Sequence, residues 1–137
     1  MAATTTDRNT RTRQGARRNF GLAAATLIPA GVMAALNATN ELVNGATSTT
    51  LKCVGVTNAS LNNSSGVSGA LRGDVELGVF GPFGNSAAGD LITLADIGND
   101  CYMVDNQTVA KTNGTSTRSV AGKVFDVDTD GVWVRFA

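Results

Sequence analysis

Lys123-Val124-Phe125-Asp126-Val127-Asp128-Thr129-Asp130-Gly131-Val132-Trp133-Val134-Arg135-Phe136 holds two apolar-alternating runs on either side of an Asp-Gly pair. Asp-Gly supplies the positive φ angles of a tight two-residue hairpin, and β-branched and aromatic residues suit a pleated, half-buried surface. Upstream, Cys101-Tyr102-Met103-Val104 meets Asp105-Asn106 and resumes at Thr108-Val109-Ala110, a second hairpin. The last third therefore reads as β-hairpins with no catalytic constellation beside them.

Working back toward the N-terminus, Asp74 to Phe80 alternates strictly, with Val75, Leu77 and Val79 facing one way. That pattern predicts a half-solvated strand, broken at Gly81-Pro82-Phe83-Gly84-Asn85. Asp90 to Gly98 predicts one or two helical turns, capped by Thr93 or Asp90 and closed by Gly98. Thr26-Leu27-Ile28, Val32 to Leu36 and Glu41-Leu42-Val43 read as strands around a turn at Asn37 to Asn40, although the Ala-rich text also suits a short helix. Leu51 to Val56 is a further strand. Thr57 to Gly69, dense in Asn, Ser and Gly, reads as a loop.

With 137 residues, 42% of them apolar, the chain fits one domain with a real core. Its charge is balanced but unevenly placed. The first eighteen residues carry Arg8, Arg11, Arg13, Arg17 and Arg18 against Asp7, while the remainder has six basic and ten acidic side chains. Residues 1–20 have almost no large apolar side chain and predict an extended basic arm, flexible until a partner holds it. Residues 21–137 form the β-rich body. No apolar run is long enough for a membrane span. Gly21 to Leu36 follows arginines as a secretory h-region would, but Pro29 and Gly31 favour a turn leading into a strand.

The chain has no histidine, which removes the commonest general base and the commonest zinc ligand. Cys53 and Cys101 lie far apart within apolar runs, which predicts buried free thiols. Asp126-x-Asp128-x-Asp130-Gly131 matches the first half of a calcium loop, but the twelfth position falls on Ala137. A solvated hairpin edge is the expected reading. A metal-dependent enzyme would need a cation at those three aspartates. Six Asn-x-Ser/Thr sequons, beginning at Asn37, Asn58, Asn62, Asn63, Asn106 and Asn113, mark an Asn- and Thr-rich surface. The arm arginines suit phosphates as well as acidic protein, but no aromatic platform accompanies them, so nucleic acid is the weaker partner reading. The residues thus describe a non-enzymatic all-β domain, a small barrel or sandwich, that needs no cofactor. Trp133, Val134 and Phe136 end the chain where a neighbouring subunit could cover them.

Ala30 to Asn40, Val54-Gly55-Val56, Gly78-Val79-Phe80, Ala95 to Gly98, Val104 to Ala110 and Ala121 to Val134 together resemble phrases of tailed-bacteriophage capsid decoration, cement or minor capsid proteins. The resemblance covers most of the chain from Pro29 onward and rests on short β phrases. It implies a structural virion protein on the outside of the phage head, often a homotrimer, bound to the major capsid protein and bracing its lattice. The arginine-rich start and the Ala-rich 22–35 segment match no phrase of that family. The alternative is a tail or fibre β module that docks on a host surface.

Overall fold

The computed structural model describes residues 2–11, 13 and 15–137. It is nearly all β. Seven strands come from residues 17–76: β1 (Arg17–Gly21), β2 (Thr26–Ile28), β3 (Met33–Leu36), β4 (Leu42–Asn44), β5 (Lys52–Thr57), β6 (Leu61–Asn63) and β7 (Arg72–Glu76). Five more follow: β8 (Gly78–Asn85), β9 (Asp100–Met103), β10 (Thr108–Ala110), β11 (Val120–Asp128) and β12 (Gly131–Phe136).

The later five strands close into a barrel of order β10-β8-β12-β11-β9, with β10 parallel to β8 and the other pairs antiparallel. Closure removes the free edges that invite aggregation. The earlier strands form a five-stranded sheet, β1-β7-β5-β3-β4, with β2 and β6 paired beside it. This sheet curls until Leu22, just after β1, bridges Leu42 in β4.

Two cores result. One fills the barrel with Phe83, Ile92, Met103, Val109, Val132, Val134 and Phe136, and the other lies inside the curled sheet around Leu22, Ile28, Leu42, Val54 and Val75. Strand β3 stands between them, sending Met33 and Ala35 to the first and Ala34 to the second. A strand packed on both faces reads as a continuous apolar run and not as an alternation, which is why the Met33–Leu36 text also suited a helix. Opposite it, Ala34 pairs with Gly55 and Ala35 with Cys53, so Val54 is an unopposed bulge residue.

Both expected hairpins form, with β9 on β10 and β11 on β12. In the second, Asp128 pairs with Gly131, which puts Thr129-Asp130 at the turn. Only Gly131 there takes positive φ, at +147°, so the glycine opens the returning strand and does not sit within the turn. The helical segment is a pair of short 3-10 turns, Ala88–Asp90 and Leu94–Asp96, the second boxed by Thr93 and Asp96. Gly98 closes it at φ +87°.

Several boundaries differ from expectation. The Thr57 to Gly69 stretch contains β6, because pairing with β2 satisfies a backbone that local sequence leaves open. Strand β8 runs through Pro82, since the ladder to β12 shifts register between Phe83 and Phe80 and asks no hydrogen bond of the proline. The single strand expected over Asp74 to Phe80 is divided at Leu77, where the chain passes from curled sheet to barrel. The arm is shorter than residues 1–20, because β1 begins at Arg17 and pairs along β7 from Glu76 to Arg72. Phe20, packed on the second core, supplies the apolar contact that the rest of the arm lacks. Finally, Val134 and Phe136 are 0% and 3% exposed. They fill the barrel and cannot form a subunit interface.

Candidate functional site

The arm ends at a polar ladder on the outer face of β1 and β7. In the antiparallel register Arg17 stands opposite Glu76 and Asn19 opposite Asp74. Arg17 Nη2 lies 2.9 Å from Glu76 Oε1, and Asn19 Nδ2 donates to Asp74 Oδ1 at 2.8 Å. Arg72 Nε donates to Asn19 Oδ1 at 2.7 Å, and Asn58 Nδ2 to Glu76 Oε1 at 3.1 Å. The Arg17 side chain is 61% exposed, so the pair with Glu76 is worth at most about 1 kcal/mol and mainly sets direction.

Beyond this root the described arm residues are exposed. Their internal hydrogen bonds are local, such as Thr10 N to Arg8 O at 3.0 Å. Among the described residues Arg8, Arg11, Arg13 and Arg18 form no ion pair, so four of the five arginines named from sequence have no acidic partner within the chain. Beside the root, a cleft of about 660 Å3 opens between the curled sheet and the barrel, lined by Val56, Asn58, Glu76, Phe80, Pro82 and Gln107. Sequence reasoning places Asn58 among the sequons and Glu76 on a solvated strand face, but connects neither with the root of the arm. The alternation of Asp74 and Glu76 marked a solvated face but could not name the strand opposite.

Two of the three aspartate carboxylates of the apparent calcium half-loop, those of Asp126 and Asp128, are used locally. Asp128 Oδ1 accepts the Asp130 and Gly131 N–H groups at 2.8 and 3.1 Å, and its Oδ2 accepts Trp133 Nε1 at 2.9 Å. Asp126 Oδ1 accepts the Val127 N–H at 2.8 Å. Among the described residues no three Asp, Glu or Cys side chains gather as a metal site. Trp133, half-buried, is therefore tied to the turn through its indole. Calcium or a chelator is expected to leave the melting temperature unchanged.

The Trp133 indole, followed by the Asp130 and Gly131 amides, holds the Asp128 carboxyl below the ordinary carboxylate range. Hydrogen bonds likewise depress Glu41 (Ser68 first), Asp90 (Thr112 first) and Asp96 (Thr93 first). A carboxyl depressed in the folded state contributes stability above its unfolded pKa and loses that contribution as pH falls through the folded one. Acid should therefore destabilise the chain below about pH 4, the ordinary carboxylate range. Since Trp133 is the only tryptophan, its fluorescence should shift over the same window, and Asp128→Asn should flatten that shift.

Both thiols are free. Burial pushes Cys53 up to about 11 and Cys101 up to about 12. Cys101 Sγ donates to Gly122 O at 3.5 Å and belongs to the barrel core. Cys101→Ala should cost about 1–2 kcal/mol through lost packing, read by urea unfolding, while reductant leaves the unmodified chain's melting temperature unchanged.

Exposed apolar surface lies away from the terminal strand. Leu91, Leu94, Ile97 and Phe125 are 45%, 65%, 48% and 45% exposed. Gly98 N donates to Val124 O at 2.8 Å and Val124 N to Asn99 O at 2.9 Å, which lays the second 3-10 turn beside the Phe125 segment. The Arg135 guanidinium sits 5.1 Å from the Phe125 ring centroid. No family model matches the chain, and neither the curated proteins nor the solved structures contain a match.

Proposed function

We propose that this chain is a structural virion protein that binds the outside of a phage head and braces the lattice of the major capsid protein. The observation that carries the reading is the pairing of an all-β body with an exposed arm whose arginines, Arg17 apart, have no acidic partner in that body. A body that leaves such an arm unsatisfied has the form of an attachment device. Its mechanism is mass action: a partner that binds the assembled lattice and not free subunits stabilises the lattice by its binding free energy. Association of copies as a homotrimer would use the exposed Leu91, Leu94, Ile97 and Phe125 surface, since Val134 and Phe136 are already covered.

The test is co-sedimentation of the purified chain with phage heads that lack it. Saturable binding to assembled heads, absent with dissociated capsid subunits, is the expected result, together with heads that withstand more heat once decorated. Equal binding to free subunits, or none to heads, would contradict the proposal.

A further inference from the structure

Strand β1 is paired along one side with β7 and on the other meets β4 only past its C-terminal end, where Leu22 bridges Leu42 and Ala23 N donates to Leu42 O at 3.1 Å. Leu77 N donates to Ala16 O and Leu22 N to Leu71 O, both at 2.9 Å, and between them Arg18 and Phe20 stand opposite Val75 and Gly73. That two-residue rhythm turns the even-numbered backbone groups toward β7 and those of Arg17 and Asn19 outward. Upstream of that bridge, among the described residues, no strand pairs with the outer side of β1 at Arg17 or Asn19. Arg72 Nη2 reaches the Asn19 carbonyl there, at 3.2 Å, and guards part of the edge.

Two guanidiniums, Arg17 and Arg72, lie beside this edge, with Glu76 against the first and Asp74 reached through Asn19. Arg17 and Asn19 share the solvent face, with Arg72 laid against Asn19. Strand β7 already displays a sequence that this face accepts: Asp74-x-Glu76 places one carboxylate on Asn19 and the next on Arg17. A second copy of β1 would be a poor occupant, because it brings arginines against arginines, and like charges opposed across a sheet destabilise it.

We propose that the free edge of β1 is an augmentation site for an extended partner strand carrying acidic side chains at alternate positions. The outward backbone groups of Arg17 and Asn19 supply the strand hydrogen bonds, Arg17 and Arg72 read the acids, and Arg8, Arg11 and Arg13 add longer-range attraction. This deepens the function proposed above by naming the chemistry of the surface met at the arm's root, while its grounds are the β1 geometry alone.

The probe is a capped nine-residue peptide alternating Glu and Thr, added to the full chain at low salt. Amide hydrogen exchange of Arg17 and Asn19 should slow by about tenfold or more, while the Arg18 and Phe20 amides, already turned toward β7, change little. Arg17→Gln should weaken binding about threefold or more. A peptide with Lys for Glu, and an acidic peptide N-methylated at alternate residues, should not bind. Binding without protection of Arg17 and Asn19, equal binding of the Lys or N-methylated peptide, or no binding at millimolar peptide would overturn the assignment. If heads still bind the chain after such a result, only the edge assignment falls. If the peptide binds and heads do not, the virion reading falls and the edge assignment stands.

Discussion

Gly55→Ala should cost the fold about 3 kcal/mol or more. Gly55 sits at φ +141°, where side chains are rarely accommodated, and an added Cβ would lie 2.5 Å from the Glu76 carbonyl oxygen and 3.1 Å from its carbon. That obstacle is backbone, and it cannot swing aside. The next residue, Val56, pairs directly with Glu76, while Val54 and Val56 are anchored in different cores. Gly31→Ala is the control. It too has positive φ, +76°, but meets nothing within 4 Å, so its cost should stay near the roughly 1–2 kcal/mol of a left-handed side chain. Urea unfolding of both variants measures the difference, and equal midpoints would show that contact with β7 has no part in fixing the glycine.

Removing residues 1–16 should leave both cores intact yet weaken attachment to heads by about tenfold to a hundredfold. Every side chain deleted from the described residues is exposed, so the body loses the Leu77 N–Ala16 O hydrogen bond but no buried side chain, and the melting temperature should move little. Binding loses Arg8, Arg11 and Arg13. At about 0.5–1 kcal/mol for each charged contact, the total falls in the stated range. Replacing Arg8, Arg11, Arg13, Arg17 and Arg18 by glutamine in the full chain should reproduce most of that loss and flatten the salt dependence of what binding remains. A truncated chain that binds heads as tightly as the full one would reduce the arm to a solvated tail.

Much of the architecture is legible from local pattern. Alternation around Lys123 to Phe136 and the apolar runs near Cys101 and Thr108 identify their hairpins because each is stabilised by neighbours close in the chain. What the sequence cannot display is pairing over distance. Leu61–Asn63 reads as loop until β2, more than thirty residues away, lies beside it. Phe136 reads as an exposed end until Phe80 and Phe83 are seen against it, with ring centroids at 6.3 and 5.8 Å. The candidate site divides in the same way. Composition reveals the arm arginines, but the partner of Arg17 depends on a register between residues 17 and 76 that only the folded sheet sets. The acidic triplet reads as a solvated hairpin edge, and what the sequence does not display is that its central carboxylate is taken by its own turn and by Trp133.

Attachment to the exterior of an assembled head would be visible in an electron-microscopy map of the virion at subunit resolution. Copies of the two-core β body are expected on the outer surface at joints between capsid subunits, with density for the arm running from β1 onto a neighbouring subunit. A map that places the chain inside the shell or only on the tail, or shows no density for it on the particle, would contradict that attachment.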